Sequence, residues 1–447
     1  MGASASIPVS HDHMNLKILT EKLEQLEAET KDFKSCTGLD CQHNYIELWG
    51  DNLMCTDCRP AKKITEEEFP DKYRQEKATM QKLGDEDLST PEESANRGVS
   101  IAFLVAFCKA FNLWDVPTRR VRRDFVIPMT SKYRCRFVEL LMMVEADVVG
   151  PAVTFISHGW SGSFGDLVAA VSDGADYSRK VWVDIFSVRQ WPCSKSDLAF
   201  EAVIERCPSF LIVCPSIPAL RDVVDISSLP RDVQERIPFF RVWCLYEAFY
   251  AASFNRAMVL KAGSQKLIQE KQEHSFESDM KMMISLMYYI DIRGASATNP
   301  VDKDMIFQKI TTFLGGVDGM NERVKHVTRS AFFSTDSPLL QCALCGDQGA
   351  KQEIRKHPSK YLQPIARGGY LTLLRDILDK RKDLINWRGG YGMTLLILAA
   401  QGDSLDCVQY LLGMGADPHA KDDGGATALF YARTNGFLHI VTCLQAK

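Results

Sequence analysis

The stretch AVTFISHGWSGSFGDLVAAVSDGA (152–175) decides how the middle of this chain is read. Its opening, AVTFIS (152–157), is β-branched and aromatic, the composition of a buried strand. Two glycines and two serines follow within 159–163, which open the chain into a loop. From Phe164 onward FGDLVAAVSDGA spaces its apolar residues as a helix does. The same succession recurs. KVWVDIF (180–186) precedes SDLAFEAVIERC (196–207), SFLIVCP (209–215) precedes RVWCLYEAFYAASF (241–254), and AMVLKA (257–262) closes the series. Strands alternating with helices specify βαβ units and a parallel sheet, with ligands expected beyond the carboxyl ends of the strands.

That rule picks out the candidate site residues. Ser157, His158, Gly159 and Trp160 follow the first strand, Asp184 ends the second, and Trp191 lies in the loop after it. The helix 241–254 carries one carboxylate, Glu247, with Trp243 and Cys244 a turn before it and Tyr250 and Ala251 a turn after. An ionisable group in such surroundings is either paired, with Arg189 or Arg241 as the available cations, or it does chemistry. Trp160, Trp191 and Trp243 are candidates to stack on a planar ligand or to pack in the core. Other chemistries find no support. Neither G-x-G-x-x-G nor G-x-x-x-x-G-K-[ST] occurs, and Ser157 and His158, adjacent on a strand, point to opposite faces and make a poor nucleophile–base pair.

FISHGW (155–160), WVDIF (182–186), CPS (214–216) and WCLYE (243–247) in this order resemble the TIR (Toll/interleukin-1 receptor) domain. The resemblance implies a flavodoxin-like parallel sheet with flanking helices over about 151–262. In that family some members cleave NAD+ at the nicotinamide–ribose bond with the glutamate of the W-C-x-x-E helix; others only self-associate and recruit partners. Carried over, Glu247 is the catalytic carboxylate, NAD+ is the substrate, and the products are nicotinamide and ADP-ribose or a cyclic form. Ser157, His158, Gly159, Trp160, Asp184, Trp191 and Trp243 become substrate contacts, and assembly into a homo-oligomer is expected. The loop after Asp184, the long segment 216–240 and the absence of arginines directly after the first strand depart from the family pattern.

At the C-terminus Ala366, Ala399 and Ala432 lie 33 residues apart, as do Thr394 and Thr427. Each alanine is followed by a second helical segment, YLTLLRDILDK, SLDCVQYLLGMGAD or FLHIVTCLQ. Period, turn glycines and helix pairs resemble ankyrin repeats, clearest over 359–447 within a region 338–447, although T-P-L-H-x-A here reads T-L-L-I-L-A and T-A-L-F-Y-A. The resemblance implies a surface for an unknown protein partner. Fusion of these repeats to the FISHGW and RVWCLYE segments resembles a group of protist and algal proteins.

The 447 residues are 46% apolar and 25% charged with a net charge of −4, an ordinary globular composition with no electrostatic footprint for nucleic acid. The basic run TRRVRR (118–123) reads as a solvated helix face, and VSIAFLVAFCKAFNLW (99–114), too short to span a bilayer, as a buried helix. No apolar signal segment opens the chain, and most of the 14 cysteines stand singly in apolar runs, so reduced thiols and a cytoplasmic location are expected. MGASAS fits a myristoylation signal on Gly2, which by itself gives only weak, peripheral membrane association. Leu16, Leu19, Leu23 and Leu26 form a short heptad stripe. Cys36, Cys41, Cys55 and Cys58, spaced C-x4-C-x13-C-x2-C, suit a structural zinc or are four reduced thiols in a loop. The expected organisation is an α/β domain with all-α additions. It comprises an N-terminal segment (1–98), a helical lead-in (99–150), the TIR-like domain (151–262), a helical connector (263–337) and the ankyrin region (338–447).

Overall fold

The structure is a computed structural model. It describes most of residues 90–447, with gaps at 131–132, 134, 191–194, 216–228, 264–285, 287–288, 298–299, 314, 335–336 and 447. Before residue 90 it describes 20–25, 28, 47–49 and 52–54. The four cysteines of the expected zinc site, Cys36, Cys41, Cys55 and Cys58, lie outside the described residues, as do Gly2 and Trp191. Two compact units emerge, one formed by Met1–Arg256 with Lys261–Asn321, the other by Ala257–Leu260 with Glu322–Lys447.

In the first unit an antiparallel hairpin, β1 (Glu47–Trp49) and β2 (Asn52–Met54), stands apart from the main sheet. Within this unit the main sheet runs in the order β4-β3-β6-β5-β7. The strands are β3 (Gly98–Ser100), β4 (Val149–Gly150), β5 (Thr154–His158), β6 (Lys180–Trp182) and β7 (Ser209–Pro215). β5 is central and parallel to both β6 and β7, and every residue of β5 and β7 is buried. A strand covered on both faces reads as an unbroken apolar run, which is why TFIS and FLIVC lack alternation.

The sheet is mixed rather than purely parallel. β3 runs antiparallel to β6, and β4 antiparallel to β3. Strands of 3 and 2 residues are too short to leave a periodic signature, so the segment that reads as a helical lead-in also supplies a sheet edge. Between these strands lies α1 (Ile101–Ala110), whose Phe103 and Phe107 pack with Phe137, Phe164 and Phe186 at ring separations of 5.1–6.2 Å. Across the sheet the register aligns Trp182, Phe155 and Phe210 in one stacked row, 4.8 and 5.5 Å apart. Helices α2 (Phe164–Ser172), α3 (Phe200–Arg206) and α4 (Val242–Ser253) follow β5, β6 and β7. Phe200 of α3 lies against both Trp182 and Trp243, which ties α3 and α4 to the aromatic row.

In the second unit three antiparallel helix pairs repeat: α5 (Leu362–Arg367) with α6 (Leu371–Leu378), α7 (Leu395–Gln401) with α8 (Leu405–Gly413), and α9 (Ala428–Thr434) with α10 (Leu438–Gln445). Ala366, Ala399 and Ala432 are fully buried where the first helices stack, and a larger side chain there would push them apart. Thr394 and Thr427 cap their helices by accepting from the amides of Ile397 and Phe430, each at 3.3 Å. Cys342 and Cys345, on an earlier helix (Pro338–Leu344) and its C-cap, are both buried.

Candidate active site

Helix α4 is built so that one face meets the end of β5. The Cys244 thiol donates to the carbonyl of His158 at 3.4 Å, and one turn later Glu247 Oε2 accepts from Ser157 Oγ at 2.6 Å. Alternation sends Ser157 to the α4 face of the sheet and His158 to the other, so the two side chains flank the carboxyl end of the central strand.

Glu247 is 5% exposed. Burial pushes its carboxyl well above the ordinary range, the Ser157 hydrogen bond pulls it part of the way back, and the negative charge of Asp184 pushes it up again. Neither arginine offered by the sequence pairs with it. Arg241 donates to Ser296 Oγ at 2.9 Å, and the Arg189 amide donates to Asp197 Oδ2, also at 2.9 Å. Among the described residues Glu247 forms no ion pair, and its hydrogen-bond partner is the Ser157 hydroxyl. Burial of this kind favours the protonated carboxyl, and a cation brought beside it would favour the ionised form.

His158 is 8% exposed, and neither ring nitrogen has a hydrogen-bond partner among the described residues. Burial lowers its pKa against the opposing charge of Asp184, which favours the neutral imidazole. Asp184 opens a short helix (Asp184–Ser187) and is itself fully engaged. Its Oδ2 accepts from Trp160 Nε1 and its Oδ1 from the Ile185 amide, each at 2.7 Å.

Arg122 lies with its guanidinium 5.4 Å from the Trp160 ring and donates to Gln190 Oε1. Gln190 in turn holds the carbonyls of Asp184 and Val188 at 3.2 and 2.9 Å, which shapes the loop after Asp184. Arg122 begins a π-helical turn, Arg122–Val126. The basic run 118–123 is therefore not simply a solvated face: Arg119 and Arg120 are exposed, while Arg122 turns inward. Chain separation hid this contact from sequence reasoning, because Arg122 and Gln190 are 68 residues apart.

The loop has a second anchor. Arg136, 2% exposed, forks onto Asp197 with Nε–Oδ2 and Nη2–Oδ1 distances of 2.8 Å, and Arg97 joins at 2.9 Å. Burial alone would raise the Asp197 carboxyl, but hydrogen bonds and charge from Arg136, the Arg189 amide and Arg97 together hold it below its ordinary value.

The structure thus brings Ser157, His158, Trp160, Asp184 and Glu247 together around one strand end. Trp243 points elsewhere. Its Nε1 donates to Asp302 at 2.9 Å and its ring packs on Phe200, so it is a packing residue and not a wall of this site. Gly159 serves backbone approach, since a Cβ there would lie 2.8 Å from the Arg236 carbonyl oxygen.

A family model for ankyrin repeats matches residues 363–447 in three copies. No TIR family model matches the α/β unit, whose mixed sheet is compatible with such a fold. No curated protein matches the chain. No helix among the described residues is long and apolar enough to cross a membrane. What the comparisons establish is a chain that carries C-terminal ankyrin repeats, a protein-binding architecture.

Proposed function

We propose that this is a signalling protein in which the ankyrin repeats bind a protein partner and the α/β unit, read as TIR-like, hydrolyses NAD+ through Glu247. The observation that carries the reading is a carboxyl at the carboxyl end of the central strand with a hydroxyl partner and no described cation. A structural buried carboxylate is normally neutralised by a fixed charge. A site for a cationic substrate needs the charge left open, and the nicotinamide ring of NAD+ is such a cation.

Its arrival would favour the ionised form of Glu247, with loss of the carboxyl proton to solvent. As the bond from ribose C1′ to the ring nitrogen breaks, the bonding pair leaves with nicotinamide and positive charge moves to the ribose. In this reading the Glu247 carboxylate stabilises that oxocarbenium-like charge. Water then adds to C1′ and loses a proton, giving ADP-ribose. Ser157 orients the carboxyl, and Asp184 holds the Trp160 ring by its Nε1.

A second reading, a non-enzymatic adaptor, is favoured by the low exposure of Glu247, 5%, which leaves little of the carboxyl open in this conformation. Nicotinamide release from NAD+ by the full chain separates the two. The expected result is release that rises steeply with protein concentration, as for an assembling enzyme, and is lost in both Glu247→Ala and Glu247→Gln. Absence of release at every concentration would leave the adaptor reading.

A further inference from the structure

In the second unit one carboxylate faces two histidines from two other elements. Asp403, in the turn between α7 and α8, places Oδ2 3.2 Å from His326 Nδ1 and Oδ1 2.8 Å from His439 Nε2. His326 lies on the helix Gly316–Ala331, in the part from Glu322 onward that belongs to this unit, and His439 in the first turn of α10. The three residues tie the helix ahead of the repeats to the second and third repeats. Oδ1 has no well-aligned hydrogen bond, so its contact with His439 is one of charge. The turn itself is strained. Asp403 has a φ of +58°, while the same place in the other two turns is taken by Gly369 at +71° and Gly436 at +77°. In all three the next amide closes onto a carbonyl five residues back, that of Ile365, Ala399 or Ala432. Glycine fits such a turn without strain, so what Asp403 adds is its carboxylate.

One carboxylate balances one imidazolium and not two. Acid adds a proton from solvent to each ring, and the two histidines then differ in their company. Arg323 and Arg329 stand three residues either side of His326, on one face of its helix, and both oppose a charge on it. Apart from His439 itself, α10 bears no charged side chain. The positive end of the α10 dipole also opposes a cation at His439, but with about half a charge against two. We infer that Asp403, His326 and His439 form a proton-sensitive clasp, which holds residues 322–331 on the repeats near neutral pH and releases them in mild acid, when Asp403 pairs with His439 alone. The setting of His326 has the matching sign. Burial lowers its pKa, the charge of Asp403 raises it in part, and Arg329, His439 and Arg323 lower it again. The stability it contributes is therefore present above its ordinary value of 6.5 and lost as pH falls through the folded value. Burial raises the Asp403 carboxyl against the pull of both histidines, an effect of the opposite sign that is full below 3.8 and fades as pH rises. The clasp asks nothing of the α/β unit, and it stands or falls apart from the NAD+ reading.

Amide hydrogen exchange of the full chain, expressed as protection factors at about pH 7.5 and about pH 5.5, tests the clasp. From the higher pH to the lower, the amides of 324–331 lose protection by about two- to fivefold, the worth of a partly exposed ion pair, while those of α7 keep theirs. His326→Gln, which keeps an N–H for Asp403 but cannot titrate, shows no such change. Asp403→Gly, which removes the carboxylate and eases the turn, gives the lower protection at both pH values. Equal protection of 324–331 in the parent at the two pH values overturns the proposal, as does a His326→Gln chain that keeps the parent's pH dependence. An Asp403→Gly chain more protected there than the parent would reduce Asp403 to a strained turn residue. Loss over α7 in step with 324–331 would mean that the whole unit loosens and no clasp opens.

Discussion

Two carboxylates in the α/β unit are almost equally buried, Asp197 at 4% and Glu247 at 5% exposure, and their surroundings treat them in opposite ways. Asp197 sits between Arg136 and Arg97 with the Arg189 amide added, and its carboxyl is held below the ordinary range. Glu247 has a serine hydroxyl, and its carboxyl is pushed far above that range. Burial is common to both, so the partners make the difference. The first arrangement spends a charge on fixing a loop. The second leaves a charge to be called on.

The largest test of this contrast is Asp197→Ala. It removes the carboxylate shared by the buried Arg136, which keeps its bond to Glu139, and the half-buried Arg97. The expected cost is about 3–5 kcal/mol, read as a lowered urea midpoint with little change in slope. Because the folded Asp197 pKa is depressed, its contribution is present above the ordinary carboxylate value of 3.8 and disappears as pH falls through the folded value. A loss below 1 kcal/mol would put Asp197 in the same class as an exposed pair and erase the contrast.

Ser157→Ala comes next. It removes the hydrogen-bond partner of Glu247 and leaves a buried carboxyl less satisfied, at a cost of about 1–3 kcal/mol. If equilibrium unfolding of this variant matches the parent, then the 2.6 Å bond does not hold Glu247 in solution.

The smallest effect carries the opposite sign. A raised folded pKa means that the native state holds a proton which the unfolded chain releases, so this stability is full below pH 4.5 and lost as pH rises toward the folded value. Glu247→Gln keeps the shape without the ionisation. Its melting temperature should exceed that of the parent at pH 8, by about 2–4 °C per kcal/mol relieved, and converge with it near pH 4. A variant less stable than the parent at pH 8 would show that Glu247 is a structural carboxylate like Asp197.

Much of the architecture was legible in the chain. Short apolar runs alternating with helical spacing located β5, β7 and the helices after them, because a strand buried on both faces puts apolar residues on both, as Phe155, Ile156 and Phe210 to Val213 do. The 33-residue period located the repeats, because identical units stack through identical small residues at Ala366, Ala399 and Ala432. Candidate site residues were legible in part for the same reason: Ser157, His158 and Asp184 lie at or just after the carboxyl ends of parallel strands, and Glu247 stood out as the carboxylate of its apolar helix.

What the sequence determined by itself is therefore local periodicity and the repeats it generates. Tertiary structure alone decided which charges meet. It put Arg136 on Asp197 across 61 residues and Arg122 against Trp160, and it turned Trp243 away to Asp302. It also added β3 and β4 to the sheet as antiparallel strands. Above all, it withheld from Glu247 the arginine that composition offered twice, at Arg189 and Arg241. Periodicity is a property of neighbours along the chain. Ion pairing depends on distances of a few ångströms between segments far apart in it, and only packing sets those.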